Sequence, residues 1–141
     1  EEYFRGRDAT IDAWHEDNRD VAEGNRKFSQ MWWRLDKYQK DGYQNLLKIA
    51  STWGGAFLCD GVGLGKTYVG LMLLEKLADY DRKRVLLLSP KSVHEAVWHD
   101  ELTTKLGHLY GGNLGNITAL KHTDLNGLDD DRKEFIKNYF W

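Results

Sequence analysis

Residues 56–67 read AFLCDGVGLGKT: four apolar residues, a loop with glycine at 61, 63 and 65, then Lys66 and Thr67. A short unbroken apolar run at 56–59 has the pattern of a buried strand. Gly63 and Gly65 lack a Cβ, so the backbone there can take left-handed dihedrals and its N–H groups can converge. Converging N–H groups make a nest for an anion. A helix that follows adds the positive end of its dipole. The residues therefore predict a phosphate-binding loop in which Gly61, Val62, Gly63, Leu64 and Gly65 wrap the phosphates of a nucleotide. Lys66 would reach the β and γ phosphates, and the Thr67 hydroxyl would ligate Mg²⁺. The expected ligand is ATP or a close relative, with Lys66 and Thr67 as the residues that act on it. One position departs from the strict pattern G-x-x-x-x-G-K-[ST]: Asp60 stands where the first glycine belongs. The bland alternative is a glycine-rich turn before a helix that opens with Lys-Thr.

Outward from the loop, residues 66–80 read as a helix, with Val69, Leu73, Leu74 and Leu77 along one side. A second apolar run follows at 85–88, and residues 117–120 read as a third strand. Neither of the two apolar runs alternates, so both are expected to be buried on both faces, and all three segments are expected to be parallel strands of one sheet covered by helices. Strand, helix, strand in this order is a βαβ unit, and the fold class is α/β. Pro90 ends the second run. Ser92 with Glu95 fits the capping-box spacing and predicts a helix from near Val93 to about Leu106. A glycine-bearing loop at 107–115 precedes the third of these segments. The carboxylates within 126–131 are expected to cap a last helix over 132–140, so the run Asp129, Asp130, Asp131 reads as a solvated cap rather than a metal site. His94, His99 and His122 do not make a ligand set by spacing, and Trp98 reads as core. Upstream, residues 38–52 form a helix with Leu46, Leu47 and Ile49 inward, closed by Gly54 and Gly55. Residues 9–34 read as polar helix with sparse anchors (Ile11, Trp14, Val21, then Phe28, Trp32, Leu35), divided at Gly24. The expected organisation is a helical extension over 1–34 and an ATP-binding lobe over 35–141.

Length and composition bound the rest. A chain of 141 residues is one ordinary domain, 41% hydrophobic and 13% aromatic, too rich for a disordered chain. Twenty basic against 22 acidic residues leave a net charge of −2, which announces no broad nucleic-acid surface, although a local patch is compatible with it. The single cysteine, Cys59, cannot close an intrachain disulfide. The N-terminus opens with Glu1 and Glu2 rather than a basic and then apolar stretch, and no apolar run approaches 18 residues. These features predict a soluble cytoplasmic protein with no membrane partner. The lack of an initiator Met predicts a piece of a longer protein.

The loop DGVGLGKT at 60–67 resembles motif I of superfamily-two helicases, and in particular the DEMGLGKT form of the Swi/Snf-type DNA translocases. Those proteins carry an upstream glutamine motif, L-x-x-Y-Q-x-x-G, which Leu35, Tyr38, Gln39 and Gly42 match. The resemblance implies that Gln39 recognises the adenine edge, and a carboxamide, with donor and acceptor, suits that edge. SPKSVHEAVWHDEL at 89–102 looks like motif Ia, whose first turn touches the nucleic-acid backbone in the family. The resemblance thereby implies DNA contacts at Lys91 and Ser92. ITALKHTDL at 117–125 resembles motif Ib less specifically. The likeness covers roughly residues 35–125. It implies a RecA-like P-loop NTPase lobe, ATP and Mg²⁺ as ligands, and movement on DNA by the intact parent.

A motor of this type also needs an Asp-Glu pair after a buried strand to hold Mg²⁺ and orient the attacking water. The one Asp-Glu pair, Asp100-Glu101, lies inside a predicted helix. The second lobe with its arginine finger is not in this sequence either, so weak nucleotide binding and poor hydrolysis are expected of the chain alone. Two other readings compete. A small P-loop kinase usually opens on the loop strand, whereas more than fifty residues precede it here. A non-catalytic P-loop interaction module would share the missing Asp-Glu motif.

Overall fold

In this computed structural model residues 11, 12, 14, 15, 28–59, 63, 65–110, 115–127 and 129–140 are described. The chain forms two compact units, Glu1–Leu73 and Leu74–Trp141.

In the first unit, helix α1 spans Lys37–Trp53. Asp36 and Gln39 close a capping box at its start, and Gly54, left-handed at φ 79°, closes its end with its N–H on the Ala50 carbonyl. Glycine reaches that conformation without the cost a Cβ imposes, so the expected stop holds. The buried stripe is Gln39, Tyr43 and Leu46, at i, i+4 and i+7. Leu47 is half-buried and Ile49 remains 45% exposed, so the inward set expected from residues 46–49 is corrected at Ile49, which lies off that stripe. Helix α2 spans Lys66–Glu75 and begins in this unit; from Leu74 onward its residues, and the π-helical turn over Lys76–Tyr80 that continues it, are counted with the second unit. There the Asp81 N–H reaches back five residues to the Lys76 carbonyl. Met31, Leu35, Tyr43, Val69, Leu71 and Met72 are buried in the first unit. Each fully buried Leu or Met there contributes roughly 1.5–3 kcal/mol.

The helical reading of 9–34, divided at Gly24, is corrected over residues 28–31. Residues 11, 12, 14 and 15 are helical, residues 28–31 are irregular, and Trp32–Arg34 is a single 3₁₀ turn. The cause is Ser29. Its hydroxyl accepts the N–H groups of Met31 (3.2 Å) and Trp32 (2.9 Å), which offers the backbone an alternative to helical bonding. The aromatic anchors pack together regardless. His15 stacks on Trp32 at 4.1 Å between ring centroids and shares a 3.1 Å hydrogen bond with the Tyr43 hydroxyl. Val21 and Gly24 lie outside the described residues.

In the second unit, β1 (Val85–Ser89) and β2 (Ile117–Lys121) pair in parallel, Val85 opposite Ile117 through Ser89 opposite Lys121. Parallel neighbours need a long crossover. Helix α3 lies within it, over residues 91–105, α-helical at Lys91–Val93 and His99–Lys105 and π-helical at His94–Trp98 between them. Leu102, Leu106, Leu109 and Ile117 are buried. Trp98, expected in the core, is only half-buried. Helix α4 spans Asp130–Phe140, and the Asp129 carboxylate accepts the Arg132 N–H at 2.9 Å. The expected carboxylate cap is present, and the helix begins two residues earlier than the sequence pattern placed it.

Three further expectations are corrected. Among the described residues the sheet has two strands, and residues 56–59 are not a third: they carry no ladder pairing, and Phe57 is 93% exposed. An apolar run marks a segment that can be a strand, but a strand is completed only by a partner's backbone. Burial on both faces also fails for β1, where Leu88 is 45% exposed. In a two-stranded sheet both strands are edges, so neither has a central strand's cover. Lastly, α3 begins at Lys91 with Pro90 as the residue before it, not near Val93 behind a Ser92 cap. The Pro90 carbonyl accepts the His94 N–H at 2.8 Å, so the first turn is already closed when the chain reaches Ser92.

Candidate functional site

The glycine-rich segment leads into the N-terminus of α2. Gly63 sits at φ 84° and Gly65 at φ 72°, both left-handed, directly before Lys66 opens the helix. Among the described residues nothing lies within 4 Å of where a Cβ on Gly63 would stand. Lys66 and Thr67 are half-buried in the first helical turn. Of the expected loop residues, Gly61, Val62 and Leu64 lie outside the described residues, as does Asp60. The described part suits an anion: backbone dihedrals that only glycine adopts cheaply, a helix N-terminus, an ammonium and a hydroxyl in consecutive positions.

The structure brings Gln39 to this turn. Gln39 is buried, its Oε1 accepts the Asp36 N–H at 2.9 Å, and its Nε2 donates to the Gly65 carbonyl at 3.4 Å. A Cβ on Gly65 would come closer than 3.0 Å to that Nε2, with Gln39 Cδ next at 3.5 Å and the Tyr38 hydroxyl at 3.9 Å. Gly65 is thus favoured by its positive φ, and a Cβ there would also push the Gln39 amide from its place. Sequence reasoning found the first point and missed the second. It also missed Asp36, although the D-x-x-Q spacing of Asp36 and Gln39 is a readable capping signal.

Gly42, the last residue of the glutamine motif, lies inside α1 with nothing within 4 Å of its Cβ position and no positive φ. No packing requirement for glycine exists there among the described residues. Gly42→Ala is expected to raise stability by about 0.5–1 kcal/mol, because glycine inside a helix costs that much relative to alanine. A lower midpoint in thermal denaturation would contradict the open space around it.

Lys91 and Ser92 belong to the second unit, where both are exposed in the first turn of α3, immediately after β1 and Pro90. Ser89, at the end of β1, is buried and its hydroxyl is 3.5 Å from His94 Nδ1; the His122 Nδ1 lies 3.4 Å from the Ser89 carbonyl. Asp100 and Glu101 lie in the helical segment His99–Lys105, with Glu101 paired to Lys105. Among the described residues no three His, Cys, Asp or Glu side chains gather as a metal site. No helix among them is long and apolar enough to cross a membrane.

This geometry defines an α/β chain with a glycine turn at a helix N-terminus and a glutamine held against it. A family model for the SNF2-related domain matches residues 38–124, from the residue before Gln39 through the turn after β2. The chain belongs to the SNF2-related domain family. No curated protein and no solved structure matches it.

Proposed function

We propose that the chain is the ATP-binding lobe, RecA-like in fold, of a Swi/Snf-like DNA-dependent ATPase. The observation that carries this reading is the pair of left-handed glycines directly ahead of Lys66 and Thr67 at a helix N-terminus, inside the span of the family match. Gly61 to Gly65 would cradle the phosphates by backbone N–H groups. Lys66 would neutralise charge on the β and γ phosphates, and Thr67 would give Mg²⁺ an oxygen ligand. Mg²⁺, when bound, supplies further neutralisation of the phosphate oxygens. Gln39 would read the adenine edge. Lys91 and Ser92 would meet the DNA backbone through the ammonium, the hydroxyl and the N–H groups of the first turn of α3. In the parent protein, hydrolysis would drive movement on DNA.

Gln39→Ala is expected to narrow the difference between ATP and GTP affinity by about 1–3 kcal/mol, the cost of leaving a buried polar pair unmade. Equal discrimination by mutant and wild type in calorimetry would remove adenine reading from Gln39.

The function itself is tested by ATP turnover with and without duplex DNA. The chain alone is expected to show negligible DNA-stimulated turnover. It has no strand-borne Asp-Glu pair to orient water, and an arginine finger is worth roughly 10³–10⁵ in rate. A chain extended to include that pair and a second lobe is expected to respond to DNA. Robust stimulated turnover by the chain alone would place a catalytic carboxylate where only helix surface and caps are seen. An inactive extended protein would favour a P-loop module without catalysis.

A further inference from the structure

The Gln39 carboxamide is engaged at both ends within the chain: Oε1 by the Asp36 N–H, Nε2 by the Gly65 carbonyl. The Gly65 carbonyl also accepts the first N–H groups of α2, from Tyr68 at 3.0 Å and Val69 at 3.5 Å. Three donors therefore converge on one carbonyl. A trans peptide is planar, with its C=O and the following N–H pointing in opposite directions. Holding the Gly65 carbonyl toward Gln39 and the body of α2 thus turns the Lys66 N–H the other way, out of the helix N-terminus. That is where an anion on the glycine turn would sit.

We infer that Gln39 is a positioning residue for the phosphates: by anchoring the Gly65 carbonyl it aims the Lys66 N–H at the anion, whether or not a base is present. The inference rests on the phosphate-binding reading of the loop and deepens it. Its consequence is that Gln39 matters for a ligand with no adenine to recognise. Anchoring also ties the two contacts together. The helix cap of α1 fixes the rotamer of Gln39, and that rotamer fixes the peptide plane ahead of Lys66.

Magnesium tripolyphosphate, which has phosphates and no base, is the probe. Calorimetric titration is expected to show roughly threefold to tenfold weaker binding by Gln39→Ala, the worth of one hydrogen bond in an organised site. Gln39→Met keeps the side-chain volume and is expected to give the same loss, which carries the test if the alanine variant folds poorly. Asp36→Ala is the structural control. It removes the Asp36 carboxylate from the cap but keeps the Asp36 backbone N–H that holds Gln39 Oε1, so it is expected to lower the thermal midpoint while leaving tripolyphosphate affinity at the wild-type value. An Asp36→Ala loss equal to that of the Gln39 variants would reduce the effect to helix capping and overturn the inference. Unchanged tripolyphosphate affinity in both Gln39 variants, with only the ATP–GTP difference narrowed, would confine Gln39 to the base and overturn it as well. A wild-type protein that binds neither ATP nor tripolyphosphate would bring down the phosphate-loop reading and this inference with it, a result distinct from the other two.

Discussion

Gly65→Ala is expected to cost the protein most of its nucleotide affinity and part of its stability together. Two effects add. At φ 72° a Cβ meets the following carbonyl, which costs an L residue about 1–2 kcal/mol. The same Cβ would overlap the Gln39 amide nitrogen, so the side chain must swing away. Swinging away breaks its bond to the Gly65 carbonyl and loosens its bond to the Asp36 N–H, each worth about 1 kcal/mol. If these losses, about 3–4 kcal/mol together, fall on the bound geometry, they correspond to roughly a hundredfold to several hundredfold in affinity. The stability part is expected to appear as a thermal midpoint lower by several degrees, on the order of 2–4 °C per kcal/mol for a domain of this size. The double variant Gly65→Ala with Gln39→Ala separates the causes. Removing Gln39 relieves the overlap and leaves the dihedral strain, so the double variant is expected to be less impaired than the sum of the two single changes. Simple additivity would show that the two residues do not touch in solution.

Much of this was legible in local pattern. The stop of α1 at Gly54, the start of α2 at Lys66, the segments that become β1 and β2 and the carboxylate cap of α4 each depend on residues within a few positions of one another. Capping, left-handed glycine and apolar runs are short-range signals, and at these positions they held. The errors came where a short-range signal had a rival. Ser92 and Glu95 are spaced as a cap, but Pro90 had already closed the turn. Phe28, Trp32 and Leu35 recur at helical spacing, but the Ser29 hydroxyl captures the N–H groups between them. Residues 56–59 have strand composition, yet pairing belongs to the partner as much as to the segment, and no composition encodes the partner's presence. Within the candidate site, Gly63, Gly65, Lys66 and Thr67 were legible because the turn and the helix are contiguous. The tie from Gln39 to Gly65 spans 26 residues. No periodicity spans that gap; the tie exists only once α1 and the glycine turn are packed in one unit.

Lys66→Ala is expected to separate binding from folding more cleanly than any other change at the site. Lys66 is a half-buried charged residue at the first position of α2, outside the buried cluster of Val69, Leu71 and Met72. Alanine is the best helix former and the position lies outside that cluster, so the change in stability is expected to stay within about 0.5 kcal/mol. Removing the ammonium takes away a charge-assisted hydrogen bond to phosphate, worth about 1.5–3 kcal/mol. That corresponds to roughly tenfold to more than a hundredfold weaker ATP binding. Tripolyphosphate affinity should fall by the same factor, since in the proposed function the lysine meets phosphate and not base. Lys66→Arg should recover little, because a planar guanidinium needs room and geometry that a site built for a compact ammonium does not offer. The measurements are calorimetric titrations of each variant beside thermal denaturation. An unchanged ATP affinity in Lys66→Ala would make the loop a turn before a helix and nothing more. A collapse of the thermal midpoint would instead give Lys66 a structural role. Loss of affinity with the midpoint held is the combination that a phosphate-binding lysine alone produces.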